Sequence, residues 1–372
     1  MHRIHLFLLL LGGTAAFAQS PQPALAPSLL SAKLDSFFRA QPSNQPGIAL
    51  SIEKAGDIIY RHTVGLADVQ ANIPLDSTSN FRMASVTKQF TAMGILLLEK
   101  DSALTLDDPI RRWLPELPPA IGNRVLIRHL LTHSSGLPDY ESLIPATQTR
   151  QVLDEDVLDL LATQDSTYFP PGSRFRYSNS GFCLLALIIE RASHQSFATF
   201  IRERIFLPLR MDHSIVYAKD QPIPHRAMGY AKDSTGNIVP SDQSVTSATK
   251  GDGGVYTSLA DYSKWIRALQ EGRLIQLPPA LRRLRFPIAG MPDSYYAAGW
   301  FETGNSPIIL FHSGSTCGFA NSVIQIPGDE WSIVYFSNLA DNTAPLRDIL
   351  KIVQDTGMQD LSPVFKLYEQ TR

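Results

Sequence analysis

The stretch Phe81 to Lys100, FRMASVTKQFTAMGILLLEK, constrains this chain more than any other. Val86, Phe90, Met93 and Leu97 recur at helical spacing, and Ala92, Ile95, Leu96 and Leu98 make the other faces apolar. The pattern predicts a buried helix with a serine in its first turn. A helix apolar all round belongs in the middle of a domain, so its polar residues need a reason. Ser85 and Lys88 stand out. Three residues apart on a helix, they share a face and can touch. The ammonium, or a neutral amine if burial lowers its pKa, can take or orient the serine proton. Unpaired N–H groups and the positive dipole end at a helix start suit a developing oxyanion. The plainer reading is a serine cap and a snorkelling lysine. S-x-x-K occurs three times in the chain. Ser51 and Lys54 fall in a strand-like run, where positions three apart face opposite sides. Ser247 and Lys250 run straight into Gly251-Asp252-Gly253-Gly254, where no helix is expected. Only Ser85 and Lys88 open a long apolar helix.

The 372 residues suffice for a large core, or for one domain with a substantial insertion. A formal net charge of −2, without a basic stripe, gives no footing for nucleic acid. The opening MHRIHLFLLLLGGTAAFA has a short basic region, an apolar run from Ile4 to Leu11 and small residues ending at Ala18. It reads as a signal peptide over 1–18, followed by a Pro- and Ala-rich linker over 19–30. The apolar run is too short to span a membrane, and no later one is long enough either. The mature chain is therefore expected to be periplasmic or secreted. Of the two cysteines, Cys183 falls on an apolar helix and Cys317 in a glycine-flanked turn. Separate thiols are expected, with a bridge left open.

Helical spacing runs from Leu29 to Ala40, and strands Gly47–Lys54 and Ile58–Val64 form a hairpin about Ala55-Gly56-Asp57. Helices follow over Gln151–Thr163, Leu184–Ala192, Phe197–Leu207 and Leu259–Leu269. Residues 211–250 read as loop and strand. The acidic Asp154, Glu155 and Asp156 read most simply as a solvated first turn. Strands are expected at Ile308–His312, Asn321–Ile326 and Ser332–Ser337, then a helix from about Pro345 to Gln354. Strands at both ends with helices between predict an α+β fold: an antiparallel sheet built from both termini, with an inserted, mostly helical segment over roughly 100–290 of a domain spanning 31–360.

A nucleophilic serine needs a base, an orienting group and an oxyanion hole. The G-x-S-x-G turn of the α/β-hydrolases is missing; Gly314 and Gly318 are centred on Thr316. His129 and His133 stand four apart, but Leu130 replaces the glutamate of a zincin motif, so no metal site is expected.

Ser85-Val86-Thr87-Lys88, Tyr177-Ser178-Asn179 and His312-Ser313-Gly314, in that order, resemble the three motifs of the serine β-lactamase and penicillin-binding-protein superfamily. The Y-x-N form is similar to the class C β-lactamase branch with its D,D-peptidases, D-aminopeptidases and family VIII esterases. The phrases LTLDDPIRRWLPEL, IRHLLTHSSGLPDY, FPPGSRFRYSNSGF and GDGGVYTSLADYSKW extend the likeness from about residue 45 to residue 340. The resemblance implies a β-lactamase/D,D-peptidase-like fold, no metal or organic cofactor, and acylation of Ser85. Lys88 would ease deprotonation of Ser85, and Tyr177 would act with it as general base and then protonate the leaving group. A phenol ordinarily ionises near about pH 10, so two nearby cations would be needed to hold it ready. Asn179 would hold Lys88 and the substrate amide. His312, Ser313, Gly314 and Ser315 would line the opposite wall, with the backbone N–H groups of Ser85 and Ser315 as the oxyanion hole. Taken singly, Tyr177 could be a core tyrosine, Asn179 a helix cap and His312 a satisfied strand histidine. β-Lactamases proper usually carry lysine at the position of His312. Histidine weakens the pull on a substrate carboxylate, as in the esterase and aminopeptidase relatives.

The expectation is an exported serine hydrolase acting on a small-molecule or peptide ester or amide, with D-amino-acid peptides among the candidates. The alternatives are a true class C-type β-lactamase or D,D-carboxypeptidase, and a non-catalytic penicillin- or peptidoglycan-binding relative. Oligomeric state is not legible.

Overall fold

The computed structural model describes residues 25–365 apart from 220, 304–306, 358 and 363; the expected signal peptide lies outside the described residues. The first helix, α1 (Leu25–Arg39), starts four residues before the helical spacing does and takes in Pro27, which a first turn tolerates because its N–H would be unpaired anyway. The hairpin follows as β1 (Ile48–Lys54) and β2 (Asp57–Val64). After Val64 the chain leaves this sheet and returns only at Phe286.

The return supplies six strands: β3 (Phe286–Pro287), β4 (Ser294–Ala297), β5 (Trp300–Thr303), β6 (Ile309–Thr316), β7 (Phe319–Ile326) and β8 (Trp331–Ser337). The sheet order is β3-β4-β5-β6-β7-β8-β1-β2, antiparallel throughout. Ile48 lies opposite Ser337 and Lys54 opposite Trp331, so the first long strand closes directly on the last. Alternation along these strands sorts side chains onto two faces. Leu50, Ile52, Ile324, Ile333 and Tyr335 pack with Leu34 and Phe38 of α1 and with Ile349, Leu350 and Val353 of the last helix, Ala344–Asp355. Ala49, Val323, Val334 and Phe336 face the larger core, where Phe81, Phe90, Tyr262 and Trp265 meet.

That larger core is built around α2 (Lys88–Lys100), on which every residue from Lys88 to Leu98 is buried. Against it packs α4 (Asn179–Ser193), on which α3 (Asp154–Ala162) packs in turn. The architecture is the expected α+β one. Two local differences bear on the site. Phe81–Arg82 is a short strand paired with Tyr256–Thr257, and Ala84–Thr87 is a single 3₁₀ turn, so Ser85 precedes the α-helix rather than opening it. Asp154 is 1% exposed, not solvated. Among the described residues no helix is long and apolar enough to cross a membrane.

Candidate active site

The 3₁₀ turn brings Ser85 and Lys88 together more directly than an α-helix would, because side chains three apart eclipse at three residues per turn. Ala84 enters it with φ +49°, a left-handed conformation that costs a residue with a Cβ about 1–2 kcal/mol. Its neighbours hold that bend. β6 runs so close that a Cβ at Gly314 would stand 2.1 Å from Met83 O and 3.3 Å from Ser85 N. Asn321 Nδ2 donates to Arg82 O at 2.7 Å from the next strand. A glycine is required at 314 for this approach, and Ser85 is thereby pressed against the strand that carries Ser315.

Lys88 is fully buried, and an unpaired ammonium there would cost several kcal/mol. It is paired three times over. Nζ donates to Ser85 Oγ at 3.0 Å, to Asn179 Oδ1 at 2.8 Å and to Asp252 O at 2.9 Å. An ammonium has three N–H bonds, and all three are committed. Burial works against the charge, but Tyr177 and Asp252 outweigh it, and the pKa is raised above the usual lysine value. Lys88 is therefore an ammonium at neutral pH. Of the two forms that the sequence left open, the ammonium is the one these surroundings favour.

Tyr177 reaches the same point from the other side. Lys88 Nζ lies 5.1 Å from its ring centroid, and the tyrosine acts on Lys88 electrostatically, favouring its charged form. The tyrosine is held from behind by His133, whose ring centroid is 4.1 Å away. His133 Nδ1 accepts from Ser178 N at 3.2 Å, and burial followed by the charge of Lys88 drives its pKa well below the ordinary histidine value. A neutral imidazole thus braces the Tyr177-Ser178 segment. Asn179 heads α4, where its backbone N–H donates to Asp139 Oδ2 at 2.7 Å and its Nδ2 donates to Glu141 Oε1 at 3.1 Å.

His312 differs from its expected part. It is 1% exposed, Nδ1–H donates to Ser313 O at 2.7 Å, and Nε2 accepts from Tyr296 Oη at 3.2 Å. Burial, then the nearby Lys88 charge, pushes its pKa down to about 3. The sequence reading asked for two cations beside Tyr177; Lys88 is one, and neutral His312 cannot be the second. Of the 312–315 run, Ser315 lines the polar recess beside Ser85, a cavity of about 50 Å³ shared with Tyr140, Glu141, Asn179 and Asp252. Below pH 6.5 the unfolded chain protonates His312 while the folded one does not, so its contribution to stability is full above that pH and is lost as pH falls towards 3. A depression from 6.5 to about 3 corresponds to about 5 kcal/mol over the whole window. Thermal unfolding at pH 4 and pH 7 is expected to show a larger acid loss in wild type than in His312→Gln. Equal losses would contradict this.

His129 and His133 do not converge. His129 Nδ1 accepts from Leu126 N, and its Nε2 would stand 2.9 Å from a Cβ at Gly172. Among the described residues there is no cluster of three or more metal-ligating side chains. Cys183 and Cys317 are separate thiols. The sequence reading missed Asp139, Tyr140, Glu141, His133 and Asp252 as parts of this site. The phrases that hold them, THSSGLPDYE and GDGGVY, are polar or glycine-rich runs between apolar elements, which was the available signal.

With this geometry in place, comparison with known proteins is decisive on one point. The sequence matches the Beta-lactamase family model over residues 34–356. The chain belongs to the beta-lactamase family. It is 35% identical over 328 residues to penicillin-binding protein 4* of Bacillus subtilis (strain 168), covering 83% of this chain and 71% of that protein. Relatives from Staphylococcus aureus are longer, and the chain spans 62% of their length. Among solved structures, a penicillin-binding protein from Bacillus halodurans is 27% identical with a TM-score of 0.75, covering 86% of this chain and 98% of that one. D-amino acid amidase from Ochrobactrum anthropi SV3, complexed with L-phenylalanine amide, is 24% identical with a TM-score of 0.73, covering 90% and 99%. At that identity the likeness is one of fold. The chain thus belongs to a family of serine hydrolases and has the sheet-and-helix architecture of penicillin-binding proteins.

Proposed function

We propose that the chain is an exported serine hydrolase that cleaves an ester or amide through an acyl-enzyme on Ser85. One observation carries the reading: all three N–H bonds of a buried ammonium end on Ser85 Oγ, Asn179 Oδ1 and Asp252 O. A lysine so committed cannot take up the serine proton. It lowers the energy of the alkoxide by charge, and the proton passes to the oxygen of Tyr177, which reacts as the phenolate that the adjacent Lys88 ammonium favours. Ser85 Oγ bonds to the substrate carbonyl carbon, Tyr177 returns the proton to the leaving oxygen or nitrogen, and water then releases the acid by the reverse path. The backbone N–H groups of Ser85 and Ser315 are assigned to the oxyanion. Asn179 is assigned to the substrate amide, and the wall from His312 through Ser313 and Gly314 to its orientation. Export rests on residues 1–18 alone.

The substrate follows from charge. Neutral His312 offers no cation to a carboxylate, which disfavours a true β-lactamase or D,D-carboxypeptidase. Arg82, Glu141 and Asp252 line the recess, and its two carboxylates against one guanidinium suit an acyl group bearing an ammonium. This favours α-amino-acid esters and amides over β-lactams. A panel of p-nitrophenyl acetate, D- and L-alanine p-nitroanilide and nitrocefin tests it. The ester or a D-amino-acid anilide is expected to exceed nitrocefin in kcat/KM by about 100-fold or more, a difference of about 3 kcal/mol in transition-state binding. Nitrocefin as the best substrate would reverse the assignment. Stoichiometric labelling by fluorescent penicillin without turnover of any substrate would make the chain a binding relative.

A further inference from the structure

We propose that Asp154 is a positioning residue for this reaction: it clamps, from beneath, the turn that seats Lys88, and protonation loosens the clamp. The inference rests on the acyl-transfer reading above. Asp154 is the first residue of α3, yet its side chain points inward. Its Oδ2 accepts from Lys250 N at 3.0 Å and its Oδ1 from Gly251 N at 3.2 Å. The next carbonyls of the same turn face α2: Gly251 O accepts from Thr91 Oγ1 at 2.6 Å, and Asp252 O accepts from Lys88 Nζ at 2.9 Å. On its far side the turn is seated against α4, where a Cβ at Gly251 would stand 2.2 Å from Phe182 O. One carboxylate thus holds two consecutive N–H groups immediately before the carbonyl that takes a third of the Lys88 ammonium.

The surroundings of Asp154 make this clamp sensitive to pH. On α4, Cys183 hydrogen-bonds to it, and Glu190 lies 3.9 Å from Lys250 Nζ. On the turn, Lys250 favours its charge and Asp252 opposes it. Tyr140 donates to Asp252 Oδ2 at 3.2 Å, and Lys88 lies beyond. On α3 itself, Asp156 pairs with Arg150 at the surface, and Glu155 is exposed. Burial first, then Asp252, lifts the Asp154 pKa to about 7 against the pull of the two N–H groups. Ionised, both oxygens accept charge-assisted hydrogen bonds. Protonated, one oxygen becomes a donor and faces an N–H, so the clamp loses half its hold.

The test is the pH dependence of ester hydrolysis by Asp154→Asn, whose amide is fixed in the weakened state. At pH 8.5 kcat is expected to fall about 10-fold, as for a sub-ångström misplacement of a reacting group, with KM within about 2-fold of wild type. The inflection near pH 7 in wild-type kcat is expected to vanish. A variant with the wild-type inflection, whether or not kcat falls, would overturn the proposal. Thr91→Val gives a second route should Asp154→Asn fail to fold. It cuts the other tether of the turn, so its acid limb is expected to deepen by about 3-fold or more; an unchanged limb would overturn the proposal. Either failure leaves the serine assignment standing, since that is read separately from Ser85→Ala.

Discussion

Ser85→Ala is expected to lower ester hydrolysis by about 10⁴-fold or more while leaving the fold intact. The size follows from what the position does. A hydrolase without its nucleophile retains only binding and oxyanion stabilisation, and water must attack unaided. The stability side follows from the structure: Ser85 is only partly buried, its Oγ accepts one hydrogen bond from Lys88, and an alanine fits the same 3₁₀ turn. Loss of that one acceptor is worth about 1–2 kcal/mol, a few degrees in Tm. Residual activity above a tenth of wild type, in protein that unfolds normally, would remove Ser85 from the reaction.

Lys88→Met should be almost as damaging to turnover and harder on the structure. The thioether fills much of the same volume, but it leaves Asn179 Oδ1, Asp252 O and Ser85 Oγ without their common donor. Each buried acceptor left unmet costs about 1–3 kcal/mol, while removing a buried charge relieves its desolvation. These oppose each other, so Tm is expected to move far less than activity. Turnover has no such offset. Without the ammonium the serine alkoxide and the Tyr177 oxygen lose their nearest positive charge, and kcat is expected to fall by about 10³-fold. Lys88→Arg should not rescue it, because a planar guanidinium cannot aim three bonds at three directions from one nitrogen. Steady-state kinetics beside thermal unfolding checks both claims. A Lys88→Arg enzyme within about 10-fold of wild type would show that charge alone matters.

How much of this was legible in the residues depends on the distance over which each part acts. Ser85 and Lys88 interact across three residues, so periodicity alone places them on one face. The 3₁₀ turn that sharpens their contact was not legible, because it is imposed by β6 crossing 230 residues later in the chain. Asp154 was misread for the same reason. In Asp154-Glu155-Asp156 three acidic residues look alike, and only the turn at 250–251 distinguishes the inward one. A histidine at 312 pointed to a neutral or weakly charged group, but not to how deeply it is buried beside Lys88, and Tyr296, which donates to its Nε2, lies on a short strand that the sequence reading did not place. The helix Leu277–Leu284 was also missed, since Pro278 and Pro279 hide a start that prolines in a first turn allow. The sheet was readable because its long strands, β1, β7 and β8, are nearly all buried.

The account stands or falls on a covalent bond at one hydroxyl. Intact-protein mass spectrometry within seconds of mixing with a slowly deacylating ester or penicillin, followed by peptide mapping, measures it directly. The expected result is one acyl group per chain, on the peptide containing Ser85, absent in Ser85→Ala and slower to form in Tyr177→Phe. An adduct on any other residue, or turnover that persists in Ser85→Ala with no adduct at all, would contradict it.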